Sequence, residues 1–363
     1  MGIIRFILAI SVVITHSSPA FGVSIVGGQM AVQSFYIISG FYMSLILNEK
    51  YKKGSYKLFI SNRFLRLYPI YWCVLVLTII WCIIMIYSSN KLAENSLMTF
   101  IQYFHTLNSP TFIYLVLSNI FVFGQDIALF LGLDQSNGGL FFTENFRLTN
   151  PHLHTFIFVP QAWTIGLELM FYLIAPFLLR RKTWLILLLI TLTLSLKLFI
   201  YNSAFNHDPW TYRFFPAELL FFLLGKISYD IYTKIRTFQI PRVVLLGTLL
   251  SVILVTVFYF WLPFNKPYLY FTGFFIALPL IFILSKKSKI DTYIGELSYP
   301  IYISHVFLLM IIQSLKIPFI ESKGTTLIIF SVIFSILLNV FITNKIEKFR
   351  QKRVLKFEEK QTN

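Results

Sequence analysis

Acidic residues are scarce in this chain: 15 Asp and Glu stand against 31 Lys and Arg in 363 residues, and charged residues of both signs reach only 13%. So thin a charge content, beside 57% hydrophobic and 18% aromatic residues, excludes an ordinary soluble domain. Cysteine is nearly absent. Cys73 and Cys82 lie nine positions apart in one apolar stretch, hence on opposite faces of a helix, which rules out a disulfide between them. An internal repeat and a low-complexity linker are missing too, so one domain is expected, and no metal.

What is abundant is apolar sequence of membrane-crossing length. Ten spans are expected, at 3–19, 26–47, 68–88, 162–179, 183–201, 214–232, 242–262, 268–285, 293–315 and 325–344. The first could be mistaken for a signal peptide, but its charged leader is minimal and His16 suits an apolar core poorly, so it reads as a retained span. The segment 111–131, TFIYLVLSNIFVFGQDIALFL, is apolar enough to cross, yet Asn119, Gly124, Gln125 and Asp126 interrupt it.

Charge asymmetry decides between the two topologies. If 111–131 does not cross, 24 basic residues face the cytoplasm and six face outward: Lys91, Arg147, Arg213, Lys266, Lys316 and Lys323. If it crosses, the split becomes 12 inside and 18 outside. The expected fold is therefore an all-α polytopic transmembrane bundle of about ten spans with both termini cytoplasmic. Residues 89–161 form one external region, with a re-entrant or lid-like segment at 111–131. A membrane domain over 1–344 is followed by a basic cytoplasmic tail, 345–363. The net charge of +16 is then explained by cytoplasmic loops and attraction to membrane lipids, without nucleic acid.

Ionisable groups inside spans are costly and usually functional. Arg5 and His16 are eleven residues apart in MGIIRFILAISVVITH, about three turns, so they share a helix face roughly 16 Å apart. Depth counting brings His16, Glu168 of WTIGLELMFYL and His305 of GELSYPIYISH toward one outer-half cavity. For each alone, a polar group satisfied by a neighbouring helix is the plain alternative. Arg63 and Arg66 in SNRFLRLYP are one turn apart and can fork onto phosphate oxygens, although a snorkelling anchor would look the same. Arg5 at that level favours a phosphate-bearing donor from the cytoplasm, such as acetyl-coenzyme A.

The ordered set R-x10-H (Arg5, His16), SFYIISGFYMS, RFLRLYPIYW (Arg63, Arg66), WTIGLELMFYLIAPFLL (Glu168) and GELSYPIYISH (Tyr299, His305) resembles the integral-membrane acyltransferase 3 family, in its stand-alone form. That resemblance implies O-acylation of surface polysaccharide, lipopolysaccharide or a lipid-linked glycan in a bacterial inner membrane. It implies His16 as general base, with Glu168 orienting it or binding the sugar. Arg5, Arg63 and Arg66 would hold the phosphates of acetyl-coenzyme A, with Ser39, Trp163, Tyr299 and His305 supporting the site. Ser39 and Ser298 leave a covalent acyl-enzyme open. The rival from another class is a transporter or flippase of a lipid-linked saccharide, which would also place charges within a bundle.

Overall fold

Backbone satisfaction within lipid demands helices, and the computed structural model, which describes residues 1–51, 54–88, 95–263 and 266–362, is predominantly helical. Lys52, Lys53 and Lys91 of the charge comparison, and residues 89–94 of the expected external region, lie outside the described residues. The helices are α1 (Gly2–Thr15), α2 (Gly28–Glu49), α3 (Tyr56–Ser88), α4 (Ser96–Tyr103), α5 (Ser109–Phe121), α6 (Trp163–Leu178), α7 (Thr183–Tyr201), α8 (Phe215–Ile235), α9 (Arg242–Val257), α10 (Pro267–Ser285), α11 (Lys289–Ser314), α12 (Lys323–Leu338) and α13 (Asn344–Thr362). Among the described residues the one sheet is an antiparallel ribbon, β1 (Leu131–Leu133) on β2 (Leu140–Phe142), with Gly132 opposite Phe141.

Among the described residues seven helices are long and apolar enough to cross a membrane, judged by length and composition: α2, α3, α7, α10, α11, and the stretches Pro160–Leu178 and Lys323–Phe357. The helices α1, α5 and α9 are apolar but shorter. With Glu218, Lys226, Asp230 and Lys234 along its length, α8 is richer in charge.

The interrupted segment 111–131 ends its helix early. Asn108 accepts a hydrogen bond from the Thr111 amide at 3.0 Å to start α5. Thirteen residues later Val122 turns left-handed at φ 65°, followed by Gly124 at φ 83°. The carbonyls freed by that stop are met by aromatic donors of α3: Trp72 Nε1 reaches Ile120 O at 2.8 Å, Tyr68 OH reaches Phe121 O at 2.5 Å, and Tyr71 OH bonds Asn119 O. The helix α5 spans about 20 Å at 1.5 Å per residue, short of a ~30 Å hydrocarbon core.

Two helices run beyond the apolar stretches marked in the sequence. The third span was expected to begin at 68, where hydropathy rises, but α3 begins at Tyr56. Its polar first half is held because Phe59, Asn62, Arg63 and Leu67 are buried against neighbouring helices. The tail expected from 345 is helical throughout its described part and joins α12 through a π turn, Asn339–Thr343. Arg353 of α13 donates to Asn62 Oδ1 at 2.9 Å and Ser61 Oγ at 2.8 Å, docking it on α3.

Glycine permits two close helix-to-helix approaches. A Cβ at Gly40 would stand 2.0 Å from the Phe222 carbonyl oxygen, so α2 and α8 touch backbone to backbone. A Cβ at Gly2 would stand 1.6 Å from the Asp291 carbonyl oxygen, which brings α1 equally close to α11. Asp291 also caps α1 from across that contact, accepting from the Met1 amine at 2.7 Å, the Gly2 amide at 2.6 Å and the Ile3 amide at 3.0 Å. Arg5, one turn further on, is thereby aimed at the space between α1, α2, α3, α6 and α11.

Candidate active site

That space is a cavity of about 350 Å³, within the usual size of a ligand pocket. Arg5, Arg63, Arg66, Ser39, Glu168, Ser298 and Tyr299 all line it, so seven of the residues singled out in the sequence meet in one place. Arg63 is 5% exposed and its Nε has no hydrogen-bond partner. Among the described residues none of Arg5, Arg63 and Arg66 forms an ion pair. Guanidiniums in a partly desolvated cavity without carboxylate partners are expensive unless an anion joins them.

Glu168 is placed by α2 rather than by α1. Its Oε1 accepts from Ser39 Oγ at 2.7 Å and from Tyr172 OH one turn along α6. Tyr299 OH donates to the Leu67 carbonyl at 2.8 Å, locking α11 onto α3 next to Arg66. Tyr36, 3% exposed, also lines the cavity, and its OH has no partner.

The two histidines meet elsewhere. His16 ends α1, exposed, with its ring 4.8 Å from that of His305, which is fully buried on α11. Each Nδ1 faces a carbonyl of its own helix, His16 that of Val12 at 2.9 Å and His305 that of Tyr302 at 2.6 Å. A carbonyl only accepts, so each Nδ1 carries a proton, and the neutral tautomer compatible with that contact has its lone pair on Nε2. The His305 Nε2 is buried and unpartnered.

Neither histidine lines the arginine cavity. Between them stands Tyr302, which borders the cavity with Phe35 and Thr164 and whose ring centroid is 6.0 Å from that of His305. Its OH is 2.7 Å from Thr164 Oγ1 and donates to the Gln161 carbonyl at 3.0 Å. The expectation of one cavity shared by His16, Glu168 and His305 is thus corrected: the histidines pair, and Glu168 belongs with the arginines. Counting residues from a span's edge cannot register one helix against another, whereas the Ser39 hydrogen bond does.

Trp163 lies outside both groups. It is buried under Arg213, whose guanidinium sits 4.4 Å from the indole and pairs with Asp208 at 2.6 Å. Phe35, Tyr36 and Tyr302 were not singled out from the sequence, although all three fall within the motifs quoted there. Their signal was a polar or aromatic side chain one turn from a residue already marked. Among the described residues no cluster of three or more His, Cys, Asp or Glu could hold a metal ion.

A bundle of apolar helices enclosing an arginine-lined cavity, with a histidine pair beyond its Tyr302 end, has the make-up of an integral membrane protein. A family model described as an acyltransferase domain matches residues 1–344. The chain belongs to that family, acyltransferase 3, and is a membrane acyltransferase. An "Uncharacterized protein" of Aquifex aeolicus is 28% identical over 214 residues, which cover 53% of this chain and 89% of the relative. No solved structure matches.

Proposed function

We propose that this acyltransferase lies in a bacterial inner membrane, with about ten spans and both termini cytoplasmic. It takes an acetyl or other short acyl group from cytoplasmic acyl-coenzyme A. The acceptor is a hydroxyl of a cell-surface polysaccharide, O-antigen or lipid-linked glycan. The observation that carries this reading is the cavity in which Arg5, Arg63 and Arg66 stand without ion-pair partners. Guanidiniums grip phosphate oxygens with charge-assisted hydrogen bonds, and the cavity's other end, at Phe35 and Tyr302, offers a path toward the histidines.

The chemistry then follows from the tautomers. With Nδ1 tied to the Val12 carbonyl, the Nε2 of His16 takes the proton of the acceptor hydroxyl as that oxygen attacks the thioester carbonyl. The new C–O bond forms, the C–S bond breaks, and the proton passes to the departing thiolate. The His305 ring against His16 orients the base. The path from the arginine cavity to His16 runs past Tyr302, so transfer requires that side chain to swing aside.

The test is mass spectrometry of surface glycans from cells carrying wild-type or His16→Ala protein. General-base loss costs about 10²–10⁴ in rate, so acylation should vanish while the variant still inserts; near-normal acylation rules out the assignment. His305→Ala should lose activity through the same pair. A wild-type protein that binds no acyl-coenzyme A, yet moves a lipid-linked saccharide across vesicles, would instead support the transporter.

A further inference from the structure

The arginine cavity has a second lobe, of about 110 Å³, on the far side of Arg5 and Arg66. Both lobes share Arg5, Arg66, Glu296 and Tyr299, so they adjoin across those side chains. The second lobe is closed by α13, the helix that stands where the sequence indicated a basic tail for lipid headgroups. Most described cations of α13 are exposed, as headgroup contacts would be, including Lys345, Lys348, Lys352 and Lys356. Arg350 is different: it is 7% exposed, lines the second lobe, and has an Nε buried without a partner.

The placement is built rather than incidental. The π turn Asn339–Thr343 adds a residue to the helical turn and so re-aims everything after it. Arg353, one turn beyond Arg350, is bonded to Ser61 and Asn62 of α3, directly before Arg63. Glu347 accepts from Arg350 Nη1 and occupies one edge of the guanidinium, leaving the Nε edge free. Arg66 repels Arg5, Arg63 and Arg350 together, and the lobe's carboxylates, Glu296 and Glu347, do not match the guanidiniums gathered around it. The lobe thus has three guanidiniums against two carboxylates, an excess that a bound anion offsets.

Resting on the acyl-coenzyme A reading above, we infer that Arg350 is a donor-binding residue, which together with Arg66 takes the phosphates at the nucleotide end of the donor. The geometry orients that end. Phe35, Thr164 and Tyr302 border the first lobe alone, so a donor whose thioester points to Tyr302 leaves its nucleotide on the opposite side, toward α13. The C-terminal helix is then a wall of the donor site, and the same phosphate chemistry could otherwise be supplied by a lipid headgroup.

The experiment uses the full-length protein in neutral-lipid nanodiscs, with binding of acetyl-coenzyme A measured for the wild type, R350A, R350K and the exposed control K352A. Loss of one charge-assisted phosphate contact should weaken acetyl-coenzyme A binding by about tenfold or more in R350A. R350K should fall between R350A and the wild type, and K352A should match the wild type. S-acetyl-4′-phosphopantetheine lacks the nucleotide, so R350A should bind it as the wild type does. A variant merely misfolded would lose both ligands, and R350K, which keeps the charge and most of the packing, then carries the comparison. Wild-type affinity in R350A overturns this inference and leaves the enzyme reading intact. A lipid site would appear as anionic lipid retained by the wild type and lost by R350A in native mass spectrometry, with acetyl-coenzyme A binding unchanged, and it too overturns the inference. A wild type that binds no acyl-coenzyme A at all overturns both.

Discussion

Removing Glu218 should cost this protein about 3–5 kcal/mol, because it strands a buried lysine. Glu218 of α8 is fully buried, and Lys197 of α7 reaches its Oε1 at 2.5 Å with a side chain only 10% exposed. Gln33 of α2 donates to both carboxylate oxygens at 3.1 Å, and Lys197 Nζ also donates to the Thr211 carbonyl at 3.1 Å. In Glu218→Leu the ammonium keeps that one carbonyl and the Phe221 and Tyr201 rings it lies over, 4.9 and 5.7 Å from their centroids. The Gln33 amide loses its acceptor as well, a further cost of about 1–3 kcal/mol. In Lys197→Met the carboxylate is stranded instead, and the loss should be similar. With both charges gone, Lys197→Met/Glu218→Leu should be less destabilised than either single variant, since apolar groups of similar volume replace a buried pair at little cost. Unfolding by SDS titration in mixed micelles gives the four free energies of the cycle. Single variants within about 1 kcal/mol of the wild type, or a double variant at the sum of its parts, would refute the argument.

Two further outcomes are expected. In a background without Cys73 and Cys82, single cysteines placed beside Asn108 and Asn150 should both label from outside the cell; labelling from opposite sides would make 111–131 a true span and invert every later element. In the stretch between α5 and α6, burial together with the charges of His152, Arg213 and Arg147 pushes the His154 imidazole down to about 4. A base with a lowered folded-state pKa contributes stability that is complete above its ordinary value of about 6.5 and is lost as pH falls toward 4. His154 stacks on His152 at 5.4 Å and meets Phe146 edge-on at 5.3 Å, contacts a phenyl ring can keep. Hydrogen exchange in this region should therefore accelerate from pH 7 to pH 5 in the wild type and much less in His154→Phe, after correction for intrinsic rates. Equal acceleration in the two proteins would show that His154 is not the titrating group.

Much of the molecule was legible in the sequence by itself. Composition dictates a membrane-embedded helical chain, because so few charges and so many apolar residues leave no soluble alternative. The helical period alone unites Arg63 with Arg66 on one face, and the sequence marked seven of the residues that line the cavity. What the sequence could not supply was the registration of one helix on another. A residue's rise along its own axis is known to about 1.5 Å, but the offset between neighbours depends on contacts remote in the chain. Asp291 sets α1 against α11, Ser39 draws Glu168 to the arginines, and Gly40 lets α2 meet α8. Those contacts put His16 against His305, place Tyr302 between the pair and the cavity, and turn a basic tail into a wall carrying Arg350. The sequence determined which groups were available and on which faces. Only packing, in which each helix is fixed by caps and close approaches made with the others, decided which of them share a space.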